Sequence, residues 1–326
     1  MGAIDNSVKI NFKSVTIVSL LSVAYLLLSS FLIGYKSDQL TLVFIFNIMF
    51  YLPEINNIFP GTRKFIVFTN TRKFILGFLI FIFYWVIFDY MKAIPNYNYN
   101  TVHIADLYHF EKHIFGINLN GKLVTPNEYL RIKGTTFLNI VTGLFYLCWI
   151  PVPLSFAAYL FFKNKRQFLY FAFTFLLVNL LGFVVYYLYP AAPPWYIQTY
   201  GFTFHPLTLG STGGLSKFDA YFHINLFKSI YSKGSNVFAA MPSLHSAYPV
   251  IVVYYGFKNR LKWANGCFIV VMLGIWFTAI YASHHYVLDV IAGILTATIG
   301  INLFNFLVKR VGFIKRFIDK YEAIIQ

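Results

Sequence analysis

Charged residues are scarce in this chain of 326 residues, at 11%. Ordinary soluble domains carry about 25% charged residues, so the sequence disfavours a soluble protein. Hydrophobic residues make up 58% of the chain and aromatic residues 21%, with 38 Phe and 25 Tyr. Such a composition suits a lipid-facing surface with aromatic belts at the membrane interfaces. The sequence therefore predicts an integral membrane protein.

Cysteines and acidic residues are also few. Cys148 and Cys267 are the two cysteines, and both fall in apolar segments far apart, which indicates neither a disulfide framework nor a zinc site. Only 11 acidic residues oppose 26 basic ones, giving a net charge of +15. The basic residues form short clusters between apolar runs and lack the aromatic spacing of an RNA-binding sheet. No nucleic-acid partner is expected.

Long apolar runs predict about eight transmembrane helices, each judged against the roughly 20 residues needed to cross the hydrocarbon core. The sixth span is short and contains Pro249, which favours a tilt or a kink. The expected fold is an all-α polytopic bundle. The predicted spans are 15–34, 40–58, 74–91, 137–162, 168–189, 243–257, 263–283 and 286–308.

The distribution of basic residues orients these spans. With the N-terminus in the cytoplasm, 17 of the 26 Lys and Arg residues face the cytoplasm and nine lie in much longer outer loops. Both termini are therefore predicted to be cytoplasmic, and the loops 191–242 and 282–285 are predicted to lie on the outer face. The predicted division is N-terminal spans at 1–73, a main transmembrane domain at 74–308 and a basic tail at 309–326.

The outer loop 92–136 contains an amphipathic segment, "HIADLYHFEKHIF". Its apolar residues favour an interfacial helix or a substrate lid. His109 and His113 are four residues apart with Glu111 between them, which leaves a metal pair as an alternative. Histidine pairs at this spacing are common without a metal, and no third ligand is well placed.

The segment "YASHHYVLDVIAG" at 281–293 places an ionisable pair at the start of the last span. His285 and Asp289 are four residues apart and so share a helix face, whereas His284 points elsewhere. A carboxylate there can hold one imidazole nitrogen and leave the other free to react. A purely structural His–Asp hydrogen bond is the alternative. Intramembrane ionisable residues are usually functional, which favours chemistry.

A second histidine, His245 in "AAMPSLHSAYP", is predicted at the same membrane face. Pro242 and Ser243 would start a helix whose free N–H groups can face a phosphate. A simple helix cap and a buried, hydrogen-bonded histidine are the alternatives. One histidine as nucleophile and another as general acid and base suits phosphoryl transfer.

These motifs carry a family resemblance. The "PSLHS" and "HHYVLD" segments resemble motifs two and three of the type 2 phosphatidic acid phosphatase superfamily. With "YPAAPPWY", "IPNY", "TPNEY" and "FYLCWIPVPL", they look more specifically like the aureobasidin-sensitive inositol phosphorylceramide synthases. The resemblance covers residues 90–308. It implies a six-helix phosphatase-superfamily core and a lipid phosphotransferase domain.

Three cations of the phosphatase pattern are missing from this chain. Tyr189 and Pro190 stand where those phosphatases have a Lys and an Arg-Pro, and Ala279 stands where they have an Arg. Such cations grip a phosphate dianion, so their loss fits a phosphodiester substrate better. Lys217 and Lys233 are candidates for compensating charge, although loop lysines are often merely solvated.

The resemblance implies transfer of phosphoinositol from phosphatidylinositol to ceramide, through a phosphohistidine on His285. Asp289 would fix the tautomer of His285, and His245 would act as acid and then as base. No cofactor and no metal are expected. The predicted substrate-binding residues are Pro193, Trp195, Tyr196, Lys233, Ser243, Ser246 and His284.

Other activities remain open at this stage. A lipid phosphate phosphatase or another headgroup transferase, such as a ceramide phosphoethanolamine synthase, would use similar motifs. A lipid transporter would spread polar residues through several spans and show repeat symmetry. The Lys-, Asn-, Ile- and Phe-rich composition is typical of an AT-rich genome, which favours a bacterial source and therefore a bacterial inner membrane. The outer face, which carries the predicted active site, would then be periplasmic.

Overall fold

The computed structural model describes residues 12–34, 39–44, 46, 47, 51, 68–232 and 236–326. The described part is almost entirely helical, as predicted, with one hairpin formed by β1 (Ile117–Leu119) and β2 (Lys122–Val124). The helices are α1 (Phe12–Ile33), α2 (Phe68–Tyr90), α3 (Ala105–Phe115), α4 (Pro126–Lys133), α5 (Thr136–Leu147), α6 (Pro151–Lys163), α7 (Lys165–Leu188), α8 (Pro194–Tyr200), α9 (Ser216–Phe222), α10 (Leu226–Tyr231), α11 (Leu244–Lys258), α12 (Lys262–Tyr281), α13 (Val287–Arg310) and α14 (Gly312–Ile325).

Six stretches of the described chain are long and apolar enough to cross a membrane. They correspond to six of the eight predicted spans, and the chain is an integral membrane protein. The six stretches are Val15–Ile33, Lys73–Ala93, Thr136–Lys163, Lys165–Leu188, Lys262–Tyr281 and Val287–Arg310. Most of the predicted span 40–58 lies outside the described residues.

The predicted short span at 243–257 is the 15-residue helix α11, with Pro249 inside it. At 1.5 Å per residue it is about 22 Å long, shorter than the hydrocarbon core. It packs against α6, α7, α12 and α13, which shield much of its surface. Gly293 allows α13 to approach closely, since a Cβ atom there would lie 2.1 Å from the carbonyl oxygen of Ser243.

The segments 94–135 and 189–242, here called the cap, lie at one end of this bundle. Backbone hydrogen bonds join their distant parts: the N–H of His103 donates to the carbonyl of Pro190 at 2.8 Å, and that of Ala191 donates to the carbonyl of Phe238 at 2.9 Å. The buried amide of Asn96 donates to the carbonyls of Tyr186 and Phe238. These bonds tie the described part of the cap to the ends of the membrane helices.

The chain forms two compact units. One unit comprises residues 94–319 and contains all the described candidate site residues. The other comprises residues 1–93 and 320–326, and in it the hydroxyls of Ser29 and Tyr90 join α1 to the end of α2 at 2.9 Å. The division predicted at residues 73 and 308 stays a prediction.

Candidate active site

The structure brings His245 and His285 together, although 40 residues separate them. Nδ1 of His245 lies 3.2 Å from Nε2 of His285, within hydrogen-bond distance. His245 is the second residue of α11, and His285 belongs to the connection between α12 and α13. The two rings therefore contact each other through Nδ1 of His245 and Nε2 of His285.

The start of α11 holds His245 close to α13. The N–H of Ser243 donates to the carbonyl of Asp289 at 2.9 Å, and the side chain of Ser243 caps α11 by accepting from the N–H of Ser246. The hydroxyl of Ser246 donates to that of Ser243 at 3.0 Å, and both serines are buried. The capping role expected of Ser243 is present, while a substrate contact by either serine stays a prediction.

The pairing of His285 with Asp289 follows from their spacing on the chain. Nδ1 of His285 lies 3.6 Å from Oδ2 of Asp289, slightly beyond a hydrogen bond. Oδ2 also accepts from the N–H of Tyr286 at 2.8 Å, so the carboxylate helps to cap α13. Nδ1 of His285 makes no hydrogen bond with any residue that the structure describes. A small rotation of the imidazole ring would complete the His–Asp pair.

Burial sets the charge of the two adjacent histidines. It lowers the pKa of His285 to about 4 and, with the charges of His285 and His245 adding to the effect, that of His284 to about 3. Both rings are therefore neutral at pH 7. A neutral imidazole keeps the lone pair that a nucleophile needs.

Asn127 on α4 holds the backbone that carries His285. Its buried side-chain amide donates to the carbonyls of Ile280 and His285, each at 2.8 Å. The motif "TPNEY" contains this residue, but its spacing alone gave no indication of a partner more than 150 residues away. Asn127 is a positioning residue that the sequence did not reveal.

Glu111 on α3 caps α13 from a different part of the chain. Its two carboxylate oxygens accept from the N–H groups of Val287 and Leu288, at 2.9 and 3.1 Å. Burial raises the pKa of Glu111 to about 7, and the two backbone donors oppose this shift. Among the described residues no group of three or more His, Cys, Asp or Glu is placed to hold a metal ion. The predicted amphipathic helix is present as α3, and Glu111 on it binds the start of α13.

Aromatic rings surround His245. The hydroxyl oxygen of Tyr146 lies 3.0 Å from Nδ1 of His245, and the ring of Trp149 packs edge-on with a centroid distance of 4.3 Å. Both residues belong to "FYLCWIPVPL", which was quoted for its resemblance and not for any chemistry. His245 itself is only half-buried.

His284 lies in a stack of rings in the connection between α12 and α13. It sits between the rings of Tyr146 and Tyr231, with centroid distances of 5.5 and 4.5 Å and interplanar angles of 14° and 15°. Its Nε2 lies 3.0 Å from the carbonyl oxygen of Thr212. Direct binding of substrate by His284 stays a prediction.

Three of the predicted substrate-binding residues, Pro193, Trp195 and Tyr196, are buried in the cap. The N–H of Trp195 donates to the carbonyl of Ser283 at 2.9 Å, and Ser283 directly precedes His284 and His285 in the chain. Trp195 and Tyr196 pack with Phe238 in a core cluster, inside the protein and away from any lipid-facing belt. Substrate binding by these three residues stays a prediction, and Lys233 lies outside the described residues.

Comparison with known proteins gives a consistent result. The family model described as "PAP2 superfamily" matches residues 124–303. A phosphoinositol dihydroceramide synthase from Bacteroides thetaiotaomicron is 39% identical over 316 residues, which cover 96% of this chain and 98% of that protein.

Two fungal proteins match shorter stretches. The inositol phosphorylceramide synthase of Candida albicans is 30% identical over 59% of this chain and 39% of its own length. The inositol phosphorylceramide synthase catalytic subunit AUR1 of Saccharomyces cerevisiae is 34% identical over 36% of this chain and 29% of its own length. No solved structure matches the chain.

Proposed function

The chain belongs to the PAP2 superfamily, and from that premise we propose that it is a lipid phosphotransferase which moves phosphoinositol from phosphatidylinositol to ceramide. The products are inositol phosphorylceramide and diacylglycerol. The observation that carries the proposal is the meeting of His245 and His285, with Asp289 behind His285. The names of the bacterial and fungal relatives support this donor and this type of acceptor.

In the first half of the reaction, Nε2 of His285 attacks phosphorus in line. A bond forms between nitrogen and phosphorus, and the bond from phosphorus to the diacylglycerol oxygen breaks. His245, which enters this step protonated on both ring nitrogens, donates one proton to that oxygen and becomes a neutral imidazole, so that diacylglycerol leaves as a neutral alcohol. Asp289 accepts the Nδ1–H of His285 and stabilises the positive charge that develops on the ring.

In the second half, the primary hydroxyl of ceramide attacks the phosphohistidine. His245 takes the hydroxyl proton while the oxygen–phosphorus bond forms and the nitrogen–phosphorus bond breaks. Water in the site would hydrolyse the intermediate instead. The cap is placed to exclude water, because Leu107, Tyr286 and Ala240 form a buried cluster beside His285.

The missing cations fit a diester substrate. Tyr189 and the buried Ala279 occupy two positions where related phosphatases carry cations. A phosphodiester has a single negative charge, which the positive end of the α11 dipole can stabilise beside His245. A phosphatidic acid dianion would need more positive charge.

A lipid panel tests this function. Purified protein with labelled ceramide should form a labelled inositol lipid from phosphatidylinositol and little product from phosphatidylethanolamine, phosphatidylcholine or phosphatidic acid. Release of inorganic phosphate from phosphatidic acid would support the phosphatase alternative. A labelled product from phosphatidylethanolamine alone would indicate a ceramide phosphoethanolamine synthase. Ceramide transfer between vesicles without any product would indicate a transporter.

The proposed location is the bacterial inner membrane, with the active site at the periplasmic face and both termini in the cytoplasm. The bias of basic residues supports this orientation. Single cysteines at Thr212 and Asn100 should react with an impermeant thiol reagent in intact cells, in a background without Cys148 and Cys267. A cysteine at Asn164 should not react. Labelling at Asn164 alone would place the chemistry in the cytoplasm.

A further inference from the structure

Tyr146 is the hydroxyl partner of the candidate acid and base. Its side chain is fully buried at the end of α5, and its oxygen lies 3.0 Å from Nδ1 of His245. The stack with His284 fixes the ring, and Leu215, Phe218 and Phe227 of the cap pack against it. The hydroxyl of Tyr146 is therefore held at His245.

The two halves of the reaction place opposite demands on Nδ1 of His245. Of the two ring nitrogens of His245, Nδ1 is the one directed at the nucleophile. The proposed function assigns to it the proton that goes to diacylglycerol and later comes from ceramide. Nδ1 carries hydrogen before the first transfer and a bare lone pair after it. A buried partner must accept a hydrogen bond in one state and donate one in the other.

A hydroxyl meets both demands, whereas a carboxylate only accepts and a lysine only donates. When Nδ1 carries hydrogen, the oxygen of Tyr146 accepts from it. When Nδ1 is bare, the phenolic hydrogen turns to it. No proton leaves Tyr146 in either state.

The need for Tyr146 is greatest in the second half. His245 also has His285 as a partner, at 3.2 Å. Once phosphorus is bonded to Nε2 of His285, the lone pair on which that hydrogen bond depends is used. The hydroxyl of Tyr146 then remains as the partner that orients the bare Nδ1 until the ceramide hydroxyl replaces it.

We propose that Tyr146 is a positioning residue that follows the proton on His245 and is needed mainly for transfer from the phosphohistidine to ceramide. The role rests on the proposed function, because it requires two half-reactions. It differs from a packing role in one respect. A loss confined to the second half makes the covalent intermediate accumulate, while a general loss of packing lowers both halves together.

The test is Tyr146→Phe, which removes the hydroxyl and keeps the ring stack. Tyr255→Phe is the matched control: its fully buried hydroxyl contacts Thr174 at 2.7 Å, in the bundle and apart from the histidines. Each protein receives headgroup-labelled phosphatidylinositol with or without ceramide. Labelled protein and labelled product are measured over time, with size-exclusion chromatography as the check of folding.

We expect Tyr146→Phe to lower product formation about 10- to 100-fold, part of the about 10²–10⁴-fold that general acid–base catalysis contributes. The labelled fraction of the protein should rise above that of the wild type during turnover. Tyr255→Phe should match the wild type in both measurements. Wild-type product and label within about twofold for Tyr146→Phe would overturn the proposal, as would an equal loss in both halves.

Failure of the proposed function gives a different result, since the wild type itself would then form neither labelled protein nor inositol lipid. If Tyr146→Phe does not fold, 3-fluorotyrosine at position 146 decides the question. This residue keeps the ring and the hydroxyl, but its hydroxyl is more acidic and donates a stronger hydrogen bond to Nδ1 of His245. The stronger bond lowers the basicity of Nδ1, so the pH profile of the second half should move to lower pH. An unchanged profile would contradict the proposal.

Discussion

The protein holds its two central histidines in opposite ways. His285 lies in a connection fixed by backbone bonds: the N–H groups of His284 and His285 both donate to the carbonyl of Ala279, and Asn127 binds the carbonyl of His285. His245 is half-buried, and the contacts of its ring are with side chains: Nε2 of His285, the hydroxyl of Tyr146 and the edge of Trp149.

This difference matches what each residue is proposed to do. A nucleophile gains from being held in line with phosphorus, since an error of about 1 Å can cost 10²-fold in rate. An acid and base that serves two different oxygens must adjust its position between them. The structure therefore teaches that rigidity is concentrated on the attacking side of the site.

The strongest way to break the rigid side is Asp289→Asn. The amide keeps the shape but can hold His285 in the wrong tautomer, so turnover should fall on the order of 10²–10⁴-fold. Steady-state product formation measures this. Asp219→Asn is a matched control, because Asp219 is a buried carboxylate that accepts from the N–H groups of Phe227 and Lys228 within the cap. A loss of the same size in that control would show that Asp289 acts only through stability.

Removing the amide of Asn127, which holds the backbone of His285, should have the next largest effect. Asn127→Ala removes the side-chain donor to the carbonyl of His285 and one of the donors to the carbonyl of Ile280, which also accepts from the N–H of Ser283. The displaced imidazole ring should cost about 10²-fold in kcat. Asn179→Ala serves as the control: it removes a buried asparagine whose amide donates within α7 and whose oxygen accepts from the hydroxyl of Tyr248 on α11, without contact to the His285 connection. We expect both variants to lower Tm and only Asn127→Ala to lower kcat. Equal kcat in the two variants would remove Asn127 from the positioning of His285.

Glu111→Gln should have the smallest effect on rate and a visible effect on the pH dependence of stability. Burial raises the pKa of Glu111 from its ordinary 4.5 to about 7. Between these values the unfolded chain releases the proton and the folded protein keeps it, so the contribution to stability is lost as pH rises toward 7. Tm of the wild type should therefore decline over this range more than Tm of Glu111→Gln.

Glu128→Gln, which alters a carboxylate in the same cap, is the control for this comparison. Product formation at pH 6 should stay within about threefold of the wild type in Glu111→Gln, because a neutral amide resembles the protonated acid. Identical Tm profiles for Glu111→Gln and the wild type would exclude a titration of Glu111 near neutral pH.

Local features of the site were predictable from the sequence. The spacing of His285 and Asp289 predicted that their side chains lie together, and they do, although His285 lies in the connection just before α13 and not on the helix. The charge bias predicted His245 at the same end of the bundle. Apolar runs identified six helices because a transmembrane helix needs only length and hydropathy to be recognised.

The supporting contacts were not predictable, because each joins residues far apart in the chain. Asn127 and His285 are 158 residues apart, Glu111 and Val287 are 176 apart, and Tyr146 and His245 are 99 apart. Periodicity reports a residue's own helix and says nothing of such partners. For this reason Glu111 stood out in the sequence only as the residue between two histidines, whereas in the structure its carboxylate accepts hydrogen bonds from the first N–H groups of α13.

The most direct test of the division between His285 and His245 is covalent labelling of the protein by a headgroup-labelled donor with a good leaving group. His285→Ala should form no acid-labile, base-stable label, because the nucleophile is gone. His245→Ala should still form the label but turn over no ceramide, since a good leaving group needs little protonation. His284→Ala should retain the label. Label in His285→Ala together with its loss in His284→Ala would assign the wrong histidine as nucleophile. Wild-type turnover in folded His285→Ala and His245→Ala proteins would contradict the account as a whole.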